Sequence, residues 1–239
     1  MRAPGRRVGI VGGTFDPIHC GHVDLARAAE QALGLSDVFI VTSNVPPHRP
    51  QPFASSFHRF AMVAMAVANR PGWRASDLEL RRAAPSYTSG TLQHFNECGF
   101  APSELFFVLG ADAFADIESW RDYPDLLQHA HFAVVSRPRF PVDDLPGRLP
   151  LLRDRMVRAP LEIAAAGDPM IILIDARTAD VSATAIRRRI AAGEAIAGLV
   201  PPSVQHHIEQ HGLYSTMPPD RRAGDSPDAP TAERLHGED

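Results

Sequence analysis

The feature that most constrains this chain is a regular alternation of short apolar runs with amphipathic stretches. Residues 8–11, 37–43, 105–109, 132–135 and 170–174 have the length and the β-branched and aromatic content of buried strands. Between and after them come stretches with helical spacing. Leu25, Ala29, Ala32 and Leu33 share one face over residues 23–33, and Phe57, Phe60, Ala61, Ala64, Val67 and Ala68 share one side of a helix beginning near Ser55. Ser182 is an expected N-cap for a helix ending at Gly193, and Pro201-Pro202 opens a last helix stopped by Gly212. Strands that alternate with helices connect through right-handed crossovers. The expectation is an α/β fold with a doubly wound, mostly parallel sheet and helices on both faces. A single domain is expected over residues 8–215. Residues 138–160, with five prolines and several Arg, read as an insertion or long loop. Residues 216–239 read as a disordered acidic tail, with six acids against three Arg and little to bury.

A sheet of this kind binds its ligand at the carboxyl ends of the strands, so composition matters for what that ligand is. All 24 cationic side chains are Arg and none is Lys. The lysine of a Walker-type phosphate loop, Schiff-base chemistry and covalent lysyl-nucleotide mechanisms are therefore excluded. Phosphate, if handled, falls to Arg, His, backbone amides and metal. The formal net charge is -4. Most of it lies in the tail, so the folded part is close to neutral and its charge does not select a ligand. No apolar run approaches the roughly 18–20 residues of a membrane span, and Cys20 and Cys98 form no CxxC pair. A reduced, cytoplasmic setting is expected, with no membrane partner. Three consecutive Arg at 187–189 do not make a nucleic-acid stripe on a helix, so no nucleic acid is expected. No feature of the sequence sets an oligomeric state.

The first strand runs directly into Gly12-Gly13-Thr14-Phe15-Asp16-Pro17-Ile18-His19-Cys20-Gly21-His22. A strand end, a glycine turn and a helix start converge there. His19 and His22, three apart at a helix N-terminus, can face one direction beside free backbone amides and the positive end of the helix dipole. Gly21 between them permits a close approach. Two imidazoles, free amides and the Thr14 hydroxyl suit a polyphosphate. Two other readings stand beside this one: an incidental histidine pair, or a zinc site in which Asp16 supplies the third ligand. The spacing is not the G-x-G-x-x-G of a dinucleotide fingerprint.

This segment resembles the HxGH signature of a nucleotidyltransferase superfamily, and the downstream segments resemble its bacterial nicotinate-nucleotide adenylyltransferases. Asn44-Val45-Pro46-Pro47-His48-Arg49 is similar to their N-x-P-P-H-(K/R) element, and Ser86-Tyr87-Thr88-Ser89-Gly90-Thr91-Leu92 to their S-Y-T-x-x-T-L. Gly110-Ala111-Asp112 with Trp120, then Ser182-Ala183-Thr184-Ala185-Ile186-Arg187, and the end of the chain through His211-Gly212-Leu213-Tyr214, follow in order. The resemblance spans residues 8–214 and implies a Rossmann-like fold. It implies adenylyl transfer from ATP to nicotinate mononucleotide, giving the deamido dinucleotide and pyrophosphate for NAD biosynthesis. His19 and His22 would be the catalytic pair on the triphosphate. Gly12, Gly13, Thr14, Phe15, Arg49, Ser182 and Arg187 would complete the ATP site. Asn44, Arg49, Tyr87, Thr88, Asp112 and Trp120 would serve the acceptor, with Trp120 stacking on the pyridine ring and Asp112 on a ribose. Mg²⁺ is expected on the ATP phosphates, with no metal ligands supplied by the protein. Gly90 and Cys20 fall at positions to which no role is given, and His206, His207 and His211 read as surface or packing positions. The alternatives are nicotinamide mononucleotide or another phosphorylated acceptor, or a nucleotide-binding regulator without catalysis.

Overall fold

The computed structural model describes residues 6–44, 51–82, 85–159 and 167–216. Seven strands form one sheet: β1 (Val8–Gly13), β2 (Asp37–Thr42), β3 (Trp73–Ser76), β4 (Leu105–Gly110), β5 (His131–Val135), β6 (Met156–Arg158) and β7 (Ile171–Ile174). The helices are α1 (Cys20–Leu33), α2 (Ser56–Val67), α3 (Thr88–Glu97), the single turns α4 (Ala111–Phe114) and α5 (Leu145–Arg148), then α6 (Ala183–Ala191) and α7 (Pro202–Gln210). The strand order is β3-β2-β1-β4-β5-β7-β6, and every pairing is parallel. This is the expected Rossmann-like α/β fold, with a sheet that is parallel throughout.

Strand pleating divides the core into two layers. Along β4, Phe106 and Val108 pack into the layer containing α1, α2 and α7, while Leu105, Phe107 and Leu109 pack into the layer of Leu92, Phe114 and Leu126 on the other face. All six residues of β4 are buried, as expected of a central strand covered on both sides. The order reverses between β1 and β4: the chain winds outward through β2 and β3, then returns to lie on the other side of β1. The carboxyl ends of β1 and β4, at Gly12-Gly13 and Gly110, therefore border the crevice where a sheet of this topology takes its ligand.

Three details depart from the sequence reading. Residues 138–160, expected as an insertion or loop, contain α5, two 3-10 turns and the edge strand β6. Strand β3 and helix α3 carried no periodic signal that announced them; β3 is only Trp-Arg-Ala-Ser at the opposite edge. Helix α2 also presents a different face. Its buried residues are Arg59, Met62, Val63, Ala66 and Val67, while Phe57 is 85% exposed. The stretch Phe60–Val67 is apolar nearly all round, so periodicity alone does not define its inner side. The buried Arg59 does, for a reason found in the site. The expected tail, from residue 217 on, lies outside the described residues.

Candidate active site

The loop from β1 into α1 is held rigidly from outside. Asp16 is buried and its carboxylate accepts three hydrogen bonds, from Phe53 N at 2.7 Å, Ala54 N at 3.0 Å and the Tyr214 hydroxyl at 2.8 Å. Those donors lie on two distant segments, one leading into α2 and one following α7. Burial and the neighbouring Asp16 charge push the Tyr214 hydroxyl up from its ordinary range, so it remains a donor. Arg59, fully buried, donates to Thr14 O and Ser43 O at 2.7 Å each and to Asn44 O at 3.3 Å. One guanidinium thereby ties the loop after β1 to the loop after β2. Phe15 takes φ 51°, and its buried ring meets His22 edge-on at 5.0 Å. A side chain at Gly13 would strike that ring, so glycine there lets Phe15 fold under the loop.

His19 is the N-cap residue of α1, and its ring stacks on His22 with centroids 3.7 Å apart. The backbone N–H of His19 donates to His22 Nδ1 at 3.3 Å, which fixes the His22 ring on the cap. Burial, with the Arg137 charge adding to it, pushes the His19 imidazole down to about 3. His19 is therefore neutral at physiological pH: a hydrogen-bonding group rather than a cation. Its Nδ1 is buried without a protein partner. A buried polar atom left open in this way usually marks strain or a ligand contact.

Two guanidiniums flank the pair. Arg187, on α6, donates to Asp16 O at 2.6 Å and Thr184 Oγ1 at 3.2 Å, and lies over the Phe53 ring at 4.8 Å. Arg137, just past β5, donates to Gly21 O at 3.2 Å. A Cβ on Gly21 would come within 2.9 Å of that guanidinium, so glycine here admits the cation against the start of α1. The Arg137 side chain also lies against Gly110, where Asp112 turns back over the end of β4. Ser182 caps α6 as expected, its Oγ accepting from Ala185 N at 3.2 Å.

The residues expected on the acceptor side form a second group. Asn44 N donates to Ser86 Oγ at 2.9 Å and Asn44 Nδ2 to Arg82 O at 2.8 Å, which joins the loop after β2 to the Ser86-Tyr87-Thr88 segment. Tyr87 is the N-cap residue of α3 and Thr88 its first residue; Arg121 stacks on the Tyr87 ring at 4.6 Å. A cavity of about 320 Å³ opens beside them, lined by Glu79, Arg82, Ser86, Tyr87 and Arg121 among others. Trp120 is half-buried, edge-on to Phe107 at 6.2 Å. Asp112 is exposed. Arg49 lies outside the described residues.

The zinc reading of the HxxH pair does not survive this geometry, because its third ligand, Asp16, is spent on Phe53, Ala54 and Tyr214. Arg59, Arg137 and the Asp16–Tyr214 bond were missed, since their role depends on contacts 45, 116 and 198 residues apart in sequence. The histidines of α7, read as surface or packing positions, divide: His206 is exposed, while His207 is buried beside His58 and His211. Burial, with the neighbouring His211, His58 and His206 adding to it, pushes His207 below its ordinary value. Their i, i+4 spacing was legible; the third partner, on α2, was not.

Comparison with known proteins shows the family of the chain. Residues 10–189 match the cytidylyltransferase-like family. The nicotinate-nucleotide adenylyltransferase of Salmonella typhi is 36% identical over 206 residues, covering 86% of this chain and 97% of the relative. This chain belongs to the nicotinate-nucleotide adenylyltransferase family. A Pseudomonas fluorescens protein named "Probable nicotinate-nucleotide adenylyltransferase" is 39% identical over 210 residues, 88% of this chain and 98% of its own. The Plasmodium falciparum nicotinic acid mononucleotide adenylyltransferase complexed with NaAD shares the fold, with a TM-score of 0.67 at 18% identity over 87% of this chain and 97% of that one. Among the described residues no helix is long and apolar enough to cross a membrane.

Proposed function

We propose that this chain transfers the adenylyl group of ATP to nicotinate mononucleotide, forming the deamido dinucleotide and releasing pyrophosphate. The observation that carries the reading is the His19–His22 stack on the cap of α1, at the switch point of the sheet, with Arg137 and Arg187 bonded to the same loop. A phosphate oxygen of the mononucleotide attacks the α-phosphorus of ATP, and the bond from that phosphorus to the bridging oxygen of pyrophosphate breaks. No proton has to move through the protein. The task is to hold two polyanions in line and stabilise the charge that builds between them.

Neutral His19 suits this task as a fixed hydrogen-bond donor, and its Nδ1 has no competing protein partner. His22, Thr14 and the amides at Gly12-Gly13 stand beside it, with Phe15 beneath the loop. Arg187 bonds the loop backbone at Asp16 and would exchange that contact for phosphate oxygens; Ser182 caps its helix. Arg49 would add a cation from the Pro-Pro-His element. Asp16, the buried carboxylate of the loop, is fully engaged, so Mg²⁺ fits here as an ion carried by the triphosphate and water, where it offsets phosphate charge. On the acceptor side, Trp120 would stack on the pyridine ring, Tyr87 and Thr88 would line the mononucleotide, Asn44 would hold their segment in place, and Asp112 would meet a ribose. The reaction belongs in the cytoplasm, where its nucleotides are.

The test is product identification by mass spectrometry after incubation with ATP, Mg²⁺ and either nicotinate or nicotinamide mononucleotide. Deamido dinucleotide as the preferred product is the expected result. Preference for the amide would move the acceptor assignment, and no dinucleotide from either would overturn the activity.

A further inference from the structure

Helices α2 and α7 pack side by side, with Met62, Val63, Val204 and Ile208 in one buried layer. At one end of that contact three imidazoles converge. His58 comes from the first turn of α2, His207 from the last turn of α7 and His211 from the C-cap that follows it. His58 Nδ1 and His207 Nε2 are 3.1 Å apart, and one nitrogen from each of the three rings falls within 4.8 Å of the others. Ring centroids lie 4.4 to 5.3 Å from one another. Among the described residues this is the one group of three or more side chains with metal-ligand chemistry at such range.

We propose that His58, His207 and His211 bind a single zinc-class divalent ion that joins α2 to α7. A tetrahedral ion with Zn–N bonds of about 2.0–2.1 Å holds its nitrogens roughly 3.3–3.4 Å apart. The His58–His207 pair already stands near that spacing. His211 is exposed, and rotation of its side chain closes the remaining gap. Three imidazole ligands and no carboxylate favour zinc, cobalt, nickel or copper over Mg²⁺ or Ca²⁺. His211 lies at the solvent edge, so water fills the fourth position. Metal binding requires the neutral imidazole, and the burial of His207 favours that form.

The site differs from the phosphate loop in place and chemistry, but it is tied to it through the chain. His58 precedes Arg59, which holds Thr14 O, and His211 lies three residues before Tyr214, which holds Asp16. An ion here would clamp together the two helices from which the loop is braced.

The experiment uses the full chain without an affinity tag, stripped with a chelator and desalted. Binding is followed by elemental analysis after zinc addition, by the visible absorption of Co²⁺ in tetrahedral nitrogen sites, and by thermal unfolding with and without zinc. The expected result is one zinc per chain, intense Co²⁺ bands and a raised unfolding temperature. His211→Ala changes an exposed residue, so it should leave the fold intact by circular dichroism. It should weaken binding at least about 10–100-fold, the loss known even for groups that merely orient a ligand. His58→Ala should do the same, while His206→Ala should bind as wild type. No stoichiometric zinc in the wild-type chain would overturn the proposal and leave the His58–His207 contact as a hydrogen bond. Equal affinity in wild type and a folded His211→Ala would overturn it too.

Discussion

The two halves of the crevice are built differently. On the proposed phosphate side, residues 12–22 are braced by contacts from Phe53-Ala54, Arg59, Arg137, Arg187 and Tyr214. On the proposed acceptor side, Tyr87 sits half-buried at the edge of an open cavity, and Thr88 and Trp120 are half-buried as well. The difference follows the chemistry. Transfer at phosphorus gains from groups fixed before the charge develops, because reorganising them during the reaction would cost free energy. Recognition of a flat ring needs a platform and room to enter, which a looser, more exposed surface provides.

The contrast can be broken most severely at Asp16. Asp16→Ala leaves two backbone N–H groups and the Tyr214 hydroxyl without their buried acceptor. Stability should fall by about 3–5 kcal/mol, as for removal of one partner from a buried charged network, and Tyr214→Phe, which removes one of those donors, should cost only about 1 kcal/mol. Denaturant melts of both variants check the ranking. Equal costs would mean that the loop is not held through this carboxylate. Trp120→Ala probes the other half. Loss of a stacking platform should weaken mononucleotide binding by about 1–3 kcal/mol and leave ATP binding unchanged in calorimetry with each ligand. Weakening of both would show that the halves are not separable.

A subtler distinction lies in pH. His19 titrates at about 3 in the folded chain and near 6.5 unfolded. Between those values the unfolded chain binds the extra proton, so His19 costs no stability above about pH 6.5 and progressively more as pH falls toward 3. His19→Gln, which does not titrate, should therefore show a shallower loss of stability over that window than wild type. Parallel profiles would contradict the burial assigned to this ring.

Much of the fold was legible because its central strands are apolar runs long enough to stand out, as in Leu-Phe-Phe-Val-Leu of β4 and Met-Ile-Ile-Leu-Ile leading into β7. The edge strands were not: β3 and β6 are three or four residues long, mixed in polarity, and specified by what they pair with. In the site, His19, His22 and the cap at Ser182 could be read because strand, glycine turn and helix start are adjacent in sequence. Arg59 could not, since a charged residue in an apolar helix reads as its exposed side until two loops fold over it. Arg187 was read as a phosphate ligand from its helix, and in the structure it reaches the same loop by bonding the Asp16 carbonyl. For Arg137 the only local sign is an Arg directly after a buried strand. Its significance comes from Gly21, whose missing side chain makes room for it.

In the proposed function, the stacked histidines on the cap of α1, His19 and His22, stabilise the transfer of the adenylyl group. Pyrophosphate release with ATP and nicotinate mononucleotide, measured for wild type, His19→Ala and His22→Ala, tests it directly. The account predicts turnover lowered by about 10² or more in each variant, the cost of removing a donor aimed at transition-state charge. Wild-type rates in both would contradict it and place the chemistry elsewhere in the crevice.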